Sequence, residues 1–171
     1  ENDLNMAGML RYYIRTDDLK NVLTVKQRFM PKARSLDASG WTEMSGFLLD
    51  KLYGELAPSD EYLRTKIEDV KECLTRAIKA DGKNPVARYN MARYFIKTHN
   101  TVNAKNSLVN AIAAFDMADT MKKRDLYKYI DSYRLLGEEY SKEKEYLRAR
   151  ELYTNGLDLY LSAHNGSGFE G

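Results

Sequence analysis

Apolar residues recur along this chain at steps of three and four almost without interruption, the spacing that lines one face of an α-helix. Leu4, Ala7, Met9, Leu10 and Ile14 mark a first helix. Leu19, Val22, Leu23 and Phe29 mark a second, with Asp17 or Asp18 as its N-cap and Pro31 as its end. Residues 35–40 read as a connection. Trp41 opens a third helix carrying Met44, Phe47, Leu48 and Leu52, which stops near Pro58. Ser59 or Asp60 caps a fourth, whose stripe is Leu63, Ile67, Val70, Leu74, Ala77 and Ile78. The run from Asp81 to Pro85 is the strongest turn: Gly82 is expected in the left-handed conformation, and Pro85 opens the next helix.

The spacing predicts a fifth helix over 85–97, a polar turn over 98–101, and a sixth helix from about Val102. That helix carries Ala104, Leu108, Ala111, Ile112 and Phe115, and its end before Met121 is left open. A seventh covers roughly 124–141 and an eighth roughly 145–163, followed by a polar tail over 164–171. With eight helices and no alternating strand pattern, the fold class is all-α.

Composition narrows the function. Hydrophobic residues at 43% and charged residues at 30% describe a chain that folds. The 27 basic and 25 acidic residues nearly cancel, so nothing points to nucleic acid or an anionic membrane surface. No apolar run reaches the roughly 18 residues of a membrane span. No signal-peptide core is visible, so no compartment is assigned. A single cysteine, Cys73, excludes an internal disulfide and a multi-cysteine zinc site. It falls in an apolar stripe and reads as a small packed hydrophobe. The chain starts with Glu1 rather than Met, which suggests a segment of a larger protein.

The hairpins resemble one another. Met91, Ala92 and Phe95 are followed by Ala104, Leu108 and Ala111; Leu136, Gly137 and Tyr140 are followed by Ala149, Tyr153 and Gly156. The steps from Ala92 to Ala104 and from Gly137 to Ala149 are both 12, and those from Ala104 to Ala111 and from Ala149 to Gly156 are both 7. This pattern resembles the tetratricopeptide repeat family: large, Leu, Gly and Tyr on a first helix, then Ala and an aromatic on a second. Tyr133 to Gly156 matches at every signature place. The preceding hairpin has Ala92 as its small residue, and the one before opens with Trp41, Met44, Ser45 and Leu48. The first, around Leu4, Ala7 and Gly8, matches weakly.

The resemblance implies antiparallel hairpins stacked as a right-handed superhelix, within one domain, over 1–37, 38–84, 85–129 and 130–163. Small residues let paired helices approach closely. The small positions repeat at 47 and then 45 residues, against roughly 34 in the family, so the array is a stretched one. The additional length falls within 56–67 and 117–127.

Candidate chemistry is sparse. His99 and His164 lie in a turn and the tail without a second ligand or a carboxylate partner. Gly82-Lys83 lacks the glycine and hydroxyl residue of a phosphate loop, and no nucleophile elbow or paired-histidine zinc motif occurs. Glu138 and Glu139 read as a solvated helix face. No catalytic group, metal or cofactor is expected.

The family binds ligands along the first helix of each hairpin. In that register the candidate partner-binding residues are Tyr89, Asn90, Arg93, Lys97, Arg134, Glu138 and Lys142. The four on the fifth helix form a polar, aromatic and basic strip suited to an extended peptide with an acidic group. Some family members clamp a chaperone's terminal carboxylate with Lys and Asn, then Asn, then Lys and Arg. Asn90 fits the middle contact, but Thr42, Gly46, Asp131 and Leu135 stand at the others, which excludes that ligand. The expected function is a non-catalytic scaffold that binds a protein or an extended peptide. The alternative is a self-associating structural module of a larger envelope, motility or secretion protein.

Overall fold

The computed structural model describes residues 3–29, 38–53, 61–118, 121 and 123–165. These fold into eight helices: α1 Asp3–Arg15, α2 Leu19–Phe29, α3 Ala38–Tyr53, α4 Glu61–Ala80, α5 Pro85–Lys97, α6 Thr101–Asp116, α7 Lys123–Lys142 and α8 Tyr146–His164. Among the described residues there is no strand, as an unbroken three-and-four spacing requires.

The chain divides into two compact units, Glu1–Asn90 and Met91–Gly171. In the first, α1 packs on α2 and α3, and α3 packs on α4. Leu10, Val22, Trp41, Met44, Leu48, Val70, Leu74 and Ala77 are among its fully enclosed residues. In the second, α7 packs on both α6 and α8, and Ala92, Leu108 and Leu136 form a core closed by Ile96, Ile112, Leu135, Tyr140 and Leu152.

One turn recurs three times. After α1, α5 and α7 the residues Asp17, His99 and Lys144 adopt the left-handed conformation, with φ of 61°, 56° and 65°. Each donates its N–H back three residues, to the carbonyls of Ile14, Ile96 and Ser141. The following residues, Asp18, Asn100 and Glu145, donate back five, to Tyr13, Phe95 and Tyr140, at 2.9, 2.8 and 3.0 Å. These are the paired bonds of the Schellman motif, which satisfy a helix's last carbonyls. The same three residues begin the next helix: their carbonyls accept from Val22, Ala104 and Ala149. Asp18 and Asn100 also cap it by side chain, through the N–H of Asn21 at 3.1 Å and of Asn103 at 3.3 Å. Glu145 makes no such bond.

Aligned on this turn, the first hairpin acquires a register that its sequence hides. Leu10 stands where Ala92 and Gly137 stand, and Lys26 where Leu108 and Tyr153 stand. Gly8 is therefore not the close-packing residue of α1, and a Cβ built on it meets nothing within 4 Å. Lys26 is 4% exposed and pairs with the half-buried Asp69 of α4, so a buried lysine in an ion pair fills a place that is apolar or aromatic elsewhere. One helical step from Asp69, Cys73 is enclosed, and burial pushes its thiol up to about 12.

Glycine brings α7 and α8 together. A Cβ on Gly137 would lie 2.6 Å from the Tyr153 ring, and one on Gly156 would lie 3.2 Å from Tyr133 Cβ. Each glycine thus lies beneath an aromatic residue of the opposite helix. The added length of this hairpin lies in its helices, which have 20 and 19 residues.

Three expectations change. Helix α3 begins at Ala38, inside the expected connection, because Thr42 Oγ1 and Ser39 Oγ bond within the first turn, to Ala38 O and Glu43 Oε1. Gly82 lies outside the left-handed region. There the Asp81 carboxylate accepts from Lys83 N–H at 3.0 Å and its carbonyl accepts from Asn84, closing the turn without a left-handed residue. His164 is the last residue of α8 rather than part of a tail, its Nδ1 2.8 Å from the Tyr160 carbonyl. The expected cap at Ser59 or Asp60, Pro31, and the tail beyond Asn165 lie outside the described residues.

Three substitutions test this geometry. A non-glycine residue held left-handed carries about 1–2 kcal/mol of strain, so Lys144→Gly should stabilise the chain by roughly 0.5–1 kcal/mol after glycine's entropic cost. Chemical denaturation measures it, and a lower midpoint would contradict the turn. Gly137→Val forces Tyr153 from its place and should cost about 2–3 kcal/mol. Gly8→Ala, in open space, should gain up to about 1 kcal/mol in the same assay.

Candidate functional site

The expected strip begins on α5, which Asn84 caps through Ala87 N–H at 3.0 Å and Pro85 opens. The structure splits the strip. Tyr89 and Asn90 are buried, at 7% and 2% exposure. Asn90 Nδ2 donates to the Thr42 carbonyl of α3 at 3.3 Å and lies against Gly46, where a Cβ would come within 3.2 Å of it. Asn90 therefore joins α5 to α3, because the absence of a side chain at Gly46 opens room for its amide. Arg93 is half-buried and Lys97 exposed, the latter in the last turn, where the helix dipole favours a cation.

On α7 the charged residues form a ladder along one helix. Arg134 Nε donates to Asp131 at 2.7 Å, and its Nη1 pairs with Glu138. Partial burial pulls this guanidinium down, but bonds and charge from Asp131 and Glu138 outweigh it and hold it above its ordinary value. Lys142 pairs with Glu139, and Lys128 with Asp125 at 2.8 Å. Four carboxylates and three cations make this ladder slightly acidic. Glu139 was expected on a solvated face, yet it is buried, at 2% exposure. Its helical neighbours one turn and two turns back, Leu136 and Ser132, belong to the packed side of α7.

Arg134, Glu138 and Lys142 are the most open residues of the ladder, with side chains 51%, 43% and 61% accessible. Ion pairs this open contribute only about 0–1 kcal/mol each. An incoming carboxylate can therefore replace Glu138 on Arg134, and an incoming cation can take Glu138, at small cost.

Sequence reasoning missed a second surface. On α8, Tyr146, Leu147 and Leu157 are 65%, 77% and 55% exposed, with Tyr153, Tyr160 and Leu161 also open. Leu147 borders a shallow depression shared with Arg150, Glu151 and Thr154. The available signal was the helix itself, which is apolar on more than its packed stripe. Among the described residues, no three His, Cys, Asp or Glu gather to hold a metal. None of their helices is long and apolar enough to cross a membrane.

Asn90→Ala should destabilise the first unit by about 1–2 kcal/mol, since the Thr42 carbonyl loses a buried donor. A ligand role without a structural one would leave the denaturation midpoint unmoved. Compared with known protein families and with curated proteins, the chain matches no family model and no curated protein.

Proposed function

We propose that this chain is a non-catalytic, protein-binding scaffold built of stacked tetratricopeptide-type hairpins. The observation that carries the reading is the turn repeated at Asp17, His99 and Lys144, with the same pair of backbone hydrogen bonds each time. A chain that reuses one hairpin is laid out as an array, and arrays present extended faces to partners. The reciprocal Gly137–Tyr153 and Gly156–Tyr133 crossing supports the same reading.

Within this reading, the partner segment lies along charged residues of α5 and α7: Arg93, Lys97, Arg134, Glu138 and Lys142. Tyr89 and Asn90 serve the scaffold. The exchangeable Asp131–Arg134–Glu138 pairs suit an extended peptide carrying both signs of charge, with a carboxylate directed to Arg134. A carboxylate aimed at a fork of donors gains orientation as well as attraction.

Cross-linking in the native extract followed by mass spectrometry should recover a partner peptide attached near α5 and α7. Arg93→Glu with Lys97→Glu should abolish that capture, and Arg134→Gln should weaken it, while helicity stays unchanged. Undiminished capture by both variants would place the partner elsewhere.

A further inference from the structure

The turn frame lets α6 and α8 be compared residue by residue at an offset of 45. On α6, Leu108 and Phe115 are 0% and 1% exposed, because α7 covers them. Phe115 stacks on Tyr129 with centroids 5.3 Å apart, Leu108 shares its core with Leu136, and Lys105 pairs with Glu143 at 2.5 Å while lying over the Tyr140 ring. The corresponding residues of α8 are Tyr153, Tyr160 and Arg150. The two tyrosines are 40% and 42% exposed, with Leu157 at 55% beside them. Helix α8 thus repeats the chemistry of the α6 surface that receives α7, and leaves it open.

The complementary comparison is between α7 and α1, aligned through Tyr140 and Tyr13 of the shared turn. Leu136 and Glu139, which α7 buries, correspond to Met9 and Tyr12 on α1, exposed by 42% and 62%. One open surface is therefore of the receiving kind and the other of the entering kind. Tyr12 replaces the charged Glu139, so the entering surface is more apolar than the one α7 uses inside the chain.

We infer that α8 of one copy receives α1 of a second copy, head to tail, in continuation of the contact that α6 makes with α7. Met9 and Tyr12 of the entering copy pack on Tyr153, Leu157 and Tyr160, and Arg150 takes the place of Lys105 over an aromatic ring, here Tyr13. Because the two surfaces differ, the contact is heterologous, and each copy keeps one receiving and one entering surface. The inference stands apart from the peptide-binding reading, which uses neither surface.

The test is sedimentation velocity on the full chain from micromolar to millimolar concentration. The native chain should gain mass with concentration. Leu157→Glu with Tyr160→Glu should weaken association roughly tenfold or more, as should Met9→Lys with Tyr12→Glu, since each forces charge into an apolar contact. Circular dichroism checks that both variants remain helical. Mixed together, the two variants should form a dimer and nothing larger, because each retains the surface the other lost. A native chain that stays monomeric would overturn the inference and leave a different helix as occupant. Association untouched by either variant, or a mixture that stays monomeric, would overturn it as well.

Discussion

Reversing a helix within two residues leaves a row of carbonyls that no helix partner can satisfy, and this chain solves that problem in the same way three times. Asp17, His99 and Lys144 turn left-handed so that two N–H groups fold back onto the carbonyls behind them. The strain of each residue is offset by the bonds it completes and by the helix that starts immediately after it. Since Asp18, Asn100 and Glu145 close one helix and begin the next, the turn also sets the rotation of the second helix about its axis. That rotation decides which side chains meet across the hairpin. Val22, Ala104 and Ala149, each four residues into the second helix, are buried as a direct result.

From that fixed rotation follow the different ways in which each hairpin closes. Glycines let α7 and α8 interleave with tyrosines, while the equivalent place in α2 holds Lys26 against Asp69. The Lys26 ammonium has left water while the Asp69 side chain keeps 29% of its accessibility, so the pair offsets the desolvation of the lysine more than it adds net stability. A slip of α2 along α4 would leave that ammonium buried without its carboxylate, which is costly. The same geometry makes Asn90 a structural residue: its amide reaches the Thr42 carbonyl only because Gly46 leaves room.

Element types were legible because apolar residues at three- and four-residue steps leave no doubt about period, and because Asp18, Asn100 and Asn84 cap where such residues should. Faces were less legible. Tyr89, Asn90 and Glu139 look like solvent-facing residues by type, but their place is set by neighbours far along the chain, which local spacing does not encode. The first hairpin hid for a similar reason: with Leu10 and Lys26 at the signature positions, only the backbone bonds of its turn reveal its register. Gly82 shows the converse, a residue whose type suggests a left-handed turn that the Asp81 carboxylate makes unnecessary. On α7, Arg134, Glu138 and Lys142 emerged as charged residues, but their mutual pairing required coordinates.

The lone thiol of Cys73 has a consequence beyond packing. With its proton held to about 12 and its sulfur fully enclosed, it reacts only when the helices around it part. Cys73 and its helix α4 belong to the unit that ends at Asn90. The rate at which an alkylating reagent labels the native chain is therefore a clock for the opening that uncovers this face of α4. The protein carries, in one atom, a means of timing the opening of its own interior.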